Sequence, residues 1–402
     1  MLKVLKLATA CRPAPERASV ARSPWLPVAT GITVTPPPQP FGVRGHVRAF
    51  KRDDVSSRPK AATCRRTPTP KGRVRTLAVM PVIALAVILH LLTVTTQAQP
   101  DPLSGQDFIH DPSTIVQDGG SYYVFGTRPG IAVRASTNLL EWHAEPAVFA
   151  HPPAWTLKVA PGFDGYFWAP DIINQHGIFF LYYAVSAWGK QTSAIGLATS
   201  PTLDHTATNY AWTDAGMVVQ STNGSPYNTI DPSVMRDADG SLWLAFGSYW
   251  QGIFLTPLDG TTGLRQGTNP PLYHLAWNDS IEAACLMRHG TNYYLFMDWG
   301  QCCRGTNSTY EVRVGRAQTI TGPYFDKEGS DLAAGGGSLF LGNEGRYIGP
   351  GHIGILDTRG SEWISYHTYD ANFEGRSRLY IRKLDWTPDG WPVAGEPVGP
   401  AN

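Results

Sequence analysis

Cysteine is scarce in this chain, with five residues among 402. Cys11 and Cys64 lie in the N-terminal part, which leaves Cys285, Cys302 and Cys303 for the remainder. Three cysteines form at most one disulfide within a chain, so the fold is not built on disulfides. The C-x₂-C spacing of a structural zinc site is also missing from the sequence.

Amphipathic helical patterns are equally rare. Beyond residue 99, no segment keeps apolar residues at the i, i+3, i+4, i+7 spacing over three turns. The chain instead combines 41 glycines, 13 tryptophans and 17 tyrosines with short apolar runs that polar turns separate. This pattern excludes a helical bundle and predicts an all-β fold.

Acidic residues are few at the start of the chain, where residues 1–76 contain 16 Lys and Arg against 3 Asp and Glu. Residues 77–402 then contain 17 Lys and Arg against 29 Asp and Glu, a net charge of −12. The basic, proline-rich segment has neither helical nor strand periodicity, so residues 1–76 are interpreted as a disordered or untranslated leader. The acidic remainder has no basic patch for a nucleic acid.

One apolar run, Leu77 to Leu92, follows the basic letters "KGRVR" and precedes the small-residue exit Thr96-Gln97-Ala98. It is shorter than the roughly 20 residues of a membrane span. We therefore predict a signal peptide over residues 77–98, a mature N-terminus near Gln99 and export to the extracellular space or periplasm, with no later membrane contact. Residues 99–402 are expected to form one domain.

Five segments of that domain repeat one pattern: a short apolar strand, a polar turn and an aromatic strand. Their sequences are "IHDPSTIVQDGGSYYVFG", "WAPDIINQHGIFFLYYAV", "DPSVMRDADGSLWLAFGS", "EAACLMRHGTNYYLFMDW" and "HIGILDTRGSEWISYHTY". A repeat at this spacing predicts a five-bladed β-propeller, in which the first strand of each blade lines a central channel.

Counting eleven residues back from the start of each aromatic strand gives one position per blade. These positions are Asp111, Trp168, Asp231, Glu282 and His352. Asp-Pro is also a common turn opener, so a structural role is an alternative for the aspartates. Glu282 and His352 are not turn formers, which favours a functional site at the channel.

Three carboxylates around a polar channel suit glycoside hydrolysis. One carboxylic acid protonates the leaving oxygen and one carboxylate activates water. A third acid nearby would raise the pKa of the general acid by like-charge proximity. Aromatic faces such as Trp168 and Trp188 would pack against sugar C–H groups.

The ordered motifs "HDPS", "FWAPDI", "NTIDPSV", "GSYWQGI", "SIEA", "TGPYFDKEG" and "GPGHIGI" resemble those of glycoside hydrolase family 43, most closely its endo-1,5-α-L-arabinanases. The resemblance runs from about Gln106 to Trp391. It implies Asp111 as general base, Glu282 as general acid, and Asp231 as the residue that tunes the acid and orients substrate.

The same resemblance implies a channel cation, usually calcium with a largely water shell, at His352. Ile353 departs from the family pattern, in which Asn often follows the histidine. Calcium prefers six to eight oxygen ligands. A neutral, hydrogen-bonded channel histidine therefore remains the alternative for His352.

Further residues are predicted to contact substrate, although ordinary packing between blades is an alternative for them. They are Trp168, Gly196, Asn228, Thr229, Ile230, Ser248, Tyr249 and Trp250. Asp171 is interpreted as a structural hydrogen-bonding residue. The role of the adjacent pair Cys302 and Cys303 stays open.

Three functions follow from these observations. The first is a secreted, monomeric, inverting hydrolase that cleaves internal α-1,5 linkages of arabinan. The second is an exo-acting α-L-arabinofuranosidase or β-xylosidase of the same family. The third is a sugar-binding propeller without catalysis, since a fold alone does not fix a function.

Overall fold

The computed structural model describes residues 103–399, apart from residues 268 and 359. The predicted leader and signal peptide lie outside the described residues. Within the described part of the chain, no helix is both long and apolar enough to cross a bilayer. The described residues form five successive sheets, each with four antiparallel strands at its centre, which confirms the predicted five-bladed β-propeller.

The chain first forms six strands and one short helix. They are β1 (Ser104–Gly105), β2 (Val116–Asp118), β3 (Ser121–Gly126), β4 (Arg128–Pro129), β5 (Ala132–Ser136), β6 (Glu141–Glu145) and α1 (Thr156–Val159). Strands β2, β3, β5 and β6 form the first blade in this order, and β1 adds to its outer edge in parallel with β6. Strand β4 pairs with the second blade.

The other four blades each take four consecutive strands. The second blade contains β7 (Tyr166–Gln175), β8 (Ile178–Val185), β9 (Ser193–Ser200) and β10 (Thr213–Ser221), and the third contains β11 (Ser233–Arg236), β12 (Leu242–Phe246), β13 (Ile253–Leu258) and β14 (Tyr273–Ala276). The fourth blade contains β15 (Ile281–His289), β16 (Asn292–Trp299), β17 (Glu311–Ala317) and β18 (Ser338–Leu341). The fifth contains β19 (Tyr347–Thr358), β20 (Ser361–Asp370), β21 (Arg376–Trp386) and β22 (Pro392–Pro397). Short 3₁₀ turns occur at Gly305–Asn307, Leu332–Ala334 and Ala371–Phe373.

A separate apolar cluster fills each interface between neighbouring blades. In β8, Phe179 and Leu181 pack towards the first blade, whereas Phe180 and Tyr182 pack towards the third. Successive side chains of a strand point to opposite faces, so both faces of this strand are buried. This explains why the second strands of the blades are continuous apolar runs rather than alternating ones.

The ring closes between the fifth and first blades without sharing a strand. The Leu379 N–H donates to Asp107 O, and the Arg378 guanidinium contacts the Asp107 carboxylate at 2.6 Å. Ser365 Oγ donates to Ser113 O at 3.0 Å. With the apolar cluster around Val124 and Leu379, these contacts form the seam of the ring and bring His352 and His367 beside Asp111.

Candidate active site

Each blade has one residue with a left-handed backbone at the head of its first strand. The five residues are Asp111, Ala169, Asp231, Ala283 and His352, with φ between 42° and 60°. The residue two positions after each of them pairs with the second strand of the same blade, as Ser233 does with Ala245. The five positions are therefore equivalent around the channel.

This equivalence corrects the register predicted from the sequence. Asp111, Asp231 and His352 occupy the equivalent position, but Trp168 and Glu282 lie one residue before it. The count back from the second strand is one residue shorter in the second and fourth blades. All five side chains nevertheless line one cavity of about 1040 Å³, to which every blade contributes residues.

Asp111 lies among three histidines. Its Oδ2 accepts a hydrogen bond from Thr127 Oγ1 at 2.5 Å and lies 2.8 Å from His110 Nδ1. The Nδ1 atoms of His367 and His352 lie 3.7 and 3.9 Å from its Oδ1. Burial by itself would raise the pKa of Asp111, but His110 outweighs it through its charge and its hydrogen bond and holds the pKa well below its ordinary value. Asp111 is therefore an ionised carboxylate.

The histidines differ in their protonation. Burial lowers the pKa of His110, but the adjacent Asp111 carboxylate outweighs this effect and the pKa is raised overall. Burial lowers the pKa of His367 well below its ordinary value. The Asp111 N–H donates to His367 Nδ1 at 3.2 Å, which leaves the His367 proton on Nε2, a buried atom without a hydrogen-bond partner.

Glu282 lies in the same cavity with hydroxyl partners instead of histidines. Ser248 Oγ donates to its Oε2 at 2.8 Å, and the Tyr310 hydroxyl donates to its Oε1. Burial raises the pKa of Glu282, and the two hydroxyl hydrogen bonds offset only part of the rise. The environments of Asp111 and Glu282 thus shift their pKa values in opposite directions.

Asp231 is buried and lines the same cavity from the third blade. Its Oδ2 accepts a single hydrogen bond from the Ala283 N–H at 3.1 Å. Burial, followed by the nearby Glu282 and Asp111 carboxylates, raises the pKa of Asp231 well above its ordinary value. Asp231 has one hydrogen-bond donor, whereas Glu282 has two. The role predicted from the sequence needs a negatively charged Asp231 beside Glu282, but the raised pKa of Asp231 favours its neutral form.

The structure adds a fourth acid, Asp298, that the sequence analysis missed. Asp298 lies on β16 directly opposite Glu282 and is fully buried. Its Oδ2 accepts the His352 N–H at 2.7 Å, whereas its Oδ1 has no hydrogen-bond partner. Burial raises its pKa well above the ordinary value. The available signal was an acid inside the apolar run "YYLFMDW".

Most of the predicted substrate contacts also line the cavity. Besides Trp168, these are Asn228, Ile230, Ser248, Tyr249 and Trp250, together with Trp188, which is 74% exposed. Thr229 is fully buried and does not line the cavity. Gly196 does not line it either.

Gly196 and Asp171 have structural surroundings. A Cβ at Gly196 would lie 2.5 Å from Tyr183 Cζ and 2.7 Å from Trp155 Cζ2, so aromatic rings rather than substrate approach this glycine. Asp171 accepts hydrogen bonds from Thr114 N at 3.0 Å and Val234 N at 2.8 Å. It joins the first three blades, which confirms its predicted structural role.

His352 is buried in the channel, and burial lowers its pKa, so its imidazole is neutral as a metal ligand must be. Asp298 Oδ1 is a buried oxygen without a hydrogen-bond partner, so it is available to a water molecule of a cation's shell. A cation held through water fits this donor set. His110, Asp111 and His367 also bring possible ligand atoms within 4.8 Å of one another. His110 Nδ1 already contacts Asp111 Oδ2, and His367 Nδ1 already accepts the Asp111 N–H.

Comparison with known proteins gives matches over almost all of the described residues. Residues 103–392 match the family model described as glycosyl hydrolases family 43. The chain is 38% identical over 303 residues to the extracellular exo-α-(1→5)-L-arabinofuranosidase ArbA of Cellvibrio japonicus, covering 72% of this chain and 86% of the relative. It is also 38% identical over 297 residues to the extracellular endo-α-(1→5)-L-arabinanase 1 of Bacillus subtilis, covering 72% and 88%.

A solved structure gives the same result at the level of the fold. The α-L-arabinanase of Cellvibrio cellulosa in complex with arabinohexaose is similar with a TM-score of 0.67 and 38% identity, over 71% of this chain and 95% of that one. Both endo-acting and exo-acting enzymes thus occur among the similar proteins.

Proposed function

Because the chain belongs to glycosyl hydrolase family 43 and is a glycoside hydrolase, we propose that it is an endo-1,5-α-L-arabinanase that hydrolyses internal linkages of arabinan. The names of its relatives support arabinan as the substrate. The complex of a similar enzyme with arabinohexaose supports a binding site for several sugar units.

The observation that carries the catalytic proposal is the opposite shift of two carboxyl pKa values in one cavity. Asp111, held ionised by its histidines, is assigned as the general base that removes a proton from water. Glu282, whose pKa is raised by burial, is assigned as the general acid that protonates the leaving oxygen. Environments that separate two carboxyl pKa values in this way are typical of acid and base partners.

We assign Asp231 mainly to substrate orientation. Its own raised pKa makes it a weak source of negative charge beside Glu282 at neutral pH. Asn228 offers both a donor and an acceptor for neighbouring sugar hydroxyls, and Trp168 and Trp250 offer aromatic faces on different blades. An inverting outcome, in which water attacks opposite the leaving group, is part of the proposal.

The endo-acting mode is supported by the size of the cavity. Its volume of about 1040 Å³ is slightly above the roughly 300–1,000 Å³ of small-ligand sites. It also extends between Tyr166 on the second blade and Ser377 on the fifth. An exo-acting α-L-arabinofuranosidase is the second candidate, because one relative at 38% identity carries that name.

The test is the product distribution from debranched arabinan in the first minutes of digestion. An endo-acting enzyme gives a ladder of oligosaccharides and a rapid fall in viscosity. Release of arabinose alone, with slow loss of viscosity, would replace the endo-acting proposal by the exo-acting one. Activity on xylan oligosaccharides but not on arabinan would contradict the substrate, and NMR of the first anomer released tests inversion.

A channel cation, expected to be calcium, completes the proposal. His352 would hold it through its imidazole, with water as the remaining ligands, and the cation would offset the negative charge of the channel acids. Elemental analysis after gel filtration, with His352→Ala as the control variant, tests this assignment. An equal calcium content in both proteins would contradict it.

The proposed site of action is outside the cell, and the protein is proposed to act as a monomer. Both first relatives are named extracellular. Detection of a processed form beginning near Gln99 in the culture medium tests secretion. Light scattering of that form tests the monomer.

A further inference from the structure

Two adjacent cysteines on the cavity wall are joined to each other. The disulfide between Cys302 and Cys303 lies in the loop between β16 and β17, and both residues line the cavity. Cys303 is exposed there and has a left-handed backbone with φ of 67°. A disulfide between neighbours closes a small ring that includes the peptide bond between them. It therefore restricts this backbone far more than a longer loop would.

The restricted backbone makes a specific contact. The Cys303 N–H donates to the Tyr369 hydroxyl at 2.7 Å. The same hydroxyl lies 2.9 Å from His110 Nε2, and His110 Nδ1 lies 2.8 Å from Asp111 Oδ2. A chain of hydrogen bonds thus connects the disulfide ring to Asp111, and Cys303 Sγ also lies 3.8 Å from His110 Nε2.

The direction of the protons along this chain is determined by its two ends. The ionised Asp111 carboxylate only accepts, so His110 Nδ1 carries a proton and donates to it. The Tyr369 oxygen accepts from Cys303, and its own proton is then free to be donated to Nε2 of a neutral His110. A protonated His110 reverses only that middle bond, since Nε2 then donates to the Tyr369 oxygen. In both states the position of the Cys303 amide determines where the His110 ring lies.

The loop has other anchors, which join Gln301, directly before the disulfide, to Ser308 and Thr309 near the start of β17. Thr309 N donates to Gln301 O at 3.1 Å, and Ser308 Oγ donates to Gln301 O at 2.6 Å. These bonds fix where the loop leaves and rejoins the blade. The Ser308 side chain also interacts with the Tyr369 hydroxyl, so Tyr369 has a second partner from this loop.

We propose that the Cys302–Cys303 disulfide is a positioning element for the catalytic base: it fixes the Cys303 amide against Tyr369, and Tyr369 in turn fixes the His110 ring that orients Asp111. The proposal rests on the proposed role of Asp111 as base. The alternative for the disulfide is a wall that touches substrate directly. The two roles differ in kinetics, because a positioning element acts on the chemical step whereas a wall acts on binding.

The experiment uses the full chain with debranched arabinan and compares kcat with KM. The Cys302→Ser/Cys303→Ser variant is expected to lose about 10- to 100-fold in kcat, the effect of a displaced catalytic group, with KM changed less than about twofold. Tyr369→Phe is expected to show the same pattern. In the protein that combines the three substitutions, kcat should fall no further than in Tyr369→Phe, because contacts that act through one another are not additive.

Tyr366→Phe is the matched control. Tyr366 lies on β20, the same strand as Tyr369, but it packs in the apolar cluster between the fourth and fifth blades. It should leave kcat unchanged. Reduction offers a second route that needs no substitution. A water-soluble phosphine converts the disulfide and one water into two thiols and a phosphine oxide. Wild-type kcat should then fall as in the serine variant, and the serine variant should be unaffected.

Three results would overturn the proposal: a rise in KM with unchanged kcat, independent losses in the combined variant, or a reduced wild type with full kcat. Asp111→Asn separates this from failure of the proposed function. If Asp111→Asn keeps wild-type kcat, Asp111 is not the base and the proposed function fails. If Asp111→Asn is inactive while the disulfide variant is normal, only the positioning role fails.

Discussion

The two sides of the channel entrance hold carboxyl groups in contrasting surroundings. On the side of the first and fifth blades, Asp111 is surrounded by His110, His352 and His367. On the side of the third and fourth blades, Glu282 has hydroxyl donors and lies among further acids. We call these the histidine side and the acid side.

The difference shows how one cavity maintains a base and an acid at the same pH. Glu282 is buried and Asp111 is largely buried, and the loss of water pushes both pKa values upward. Only on the histidine side do neighbouring groups reverse that effect. The neighbours of each carboxyl group thus determine whether it is suited to act as base or as acid, and a substitution on one side should affect one of the two roles.

The largest expected effect comes from removing the carboxyl of either side. Asp111→Asn and Glu282→Gln should each lower kcat on debranched arabinan by at least about 10²–10⁴-fold, the usual contribution of a positioned acid or base. Binding of arabinohexaose, measured by calorimetry, should persist. Asp279→Asn, an exposed carboxyl outside the cavity, is the control. Turnover near the wild-type rate in either variant would contradict its assigned role.

A smaller effect is expected from weakening the histidine side. His110→Gln removes a group that lowers the pKa of Asp111, so that pKa should rise. The base is then protonated at a higher pH, and the acidic limb of the kcat/KM profile should move to higher pH. The alkaline limb should move less. An unmoved acidic limb would show that His110 does not govern the ionisation of Asp111.

Substitutions of Asp298, on the acid side, should change the free energy of unfolding. Asp298→Ala leaves the buried His352 N–H without its acceptor and should cost about 1–3 kcal/mol of unfolding free energy. Asp298→Asn keeps an acceptor and resembles the protonated acid, so its cost should be smaller. Urea unfolding at constant pH measures both values. Equal losses in the two variants would contradict a protonated Asp298.

The same residue predicts a pH dependence. The folded pKa of Asp298 is raised above the unfolded value. Its contribution to stability is therefore present at low pH and lost as pH rises through the folded pKa. Asp298→Asn should remove this part of the pH dependence, and urea unfolding across pH measures the change.

The smallest expected shift comes from Asp231→Asn. Because Asp231 itself holds a proton, replacing it by a neutral amide should lower the rate through lost substrate contacts but leave the alkaline limb almost in place. The control is the acidic-limb shift of His110→Gln, which should be larger. A clear move of the alkaline limb to lower pH would show that Asp231 carries a charge that raises the pKa of Glu282, as the motif resemblance implies.

The sequence predicted the propeller and its acids because both are encoded locally. Each blade repeats one short pattern, and the acids lie at its start, so a count along the chain found Asp111, Asp231 and Glu282. The count was one residue wrong for Glu282 and Trp168, since the left-handed residue that determines the register has no single side-chain signature.

The sequence did not predict two kinds of feature. Some site residues lie outside the first strands, and one local pattern was interpreted wrongly. Asp298 and His367 lie on the second strands of their blades and Tyr310 directly precedes β17. Only the closed ring brings them beside the acids. For Gly196, the inference of a close neighbour was correct, but that neighbour is the Tyr183 ring. Local patterns do not distinguish a ligand from a packed aromatic ring.

The five left-handed residues can also be viewed in terms of symmetry. The backbone repeats one conformation five times around the axis, although Ala169 and Ala283 have no functional group that would require it. The scaffold is therefore close to fivefold symmetric, whereas a polysaccharide chain has a direction and no such symmetry. Catalysis depends on side chains that differ between equivalent positions, such as Asp111 and His352, and on Glu282, which lies one residue before its equivalent position. The symmetric backbone provides equivalent positions, and the side chains that break the symmetry define the polarity of the site.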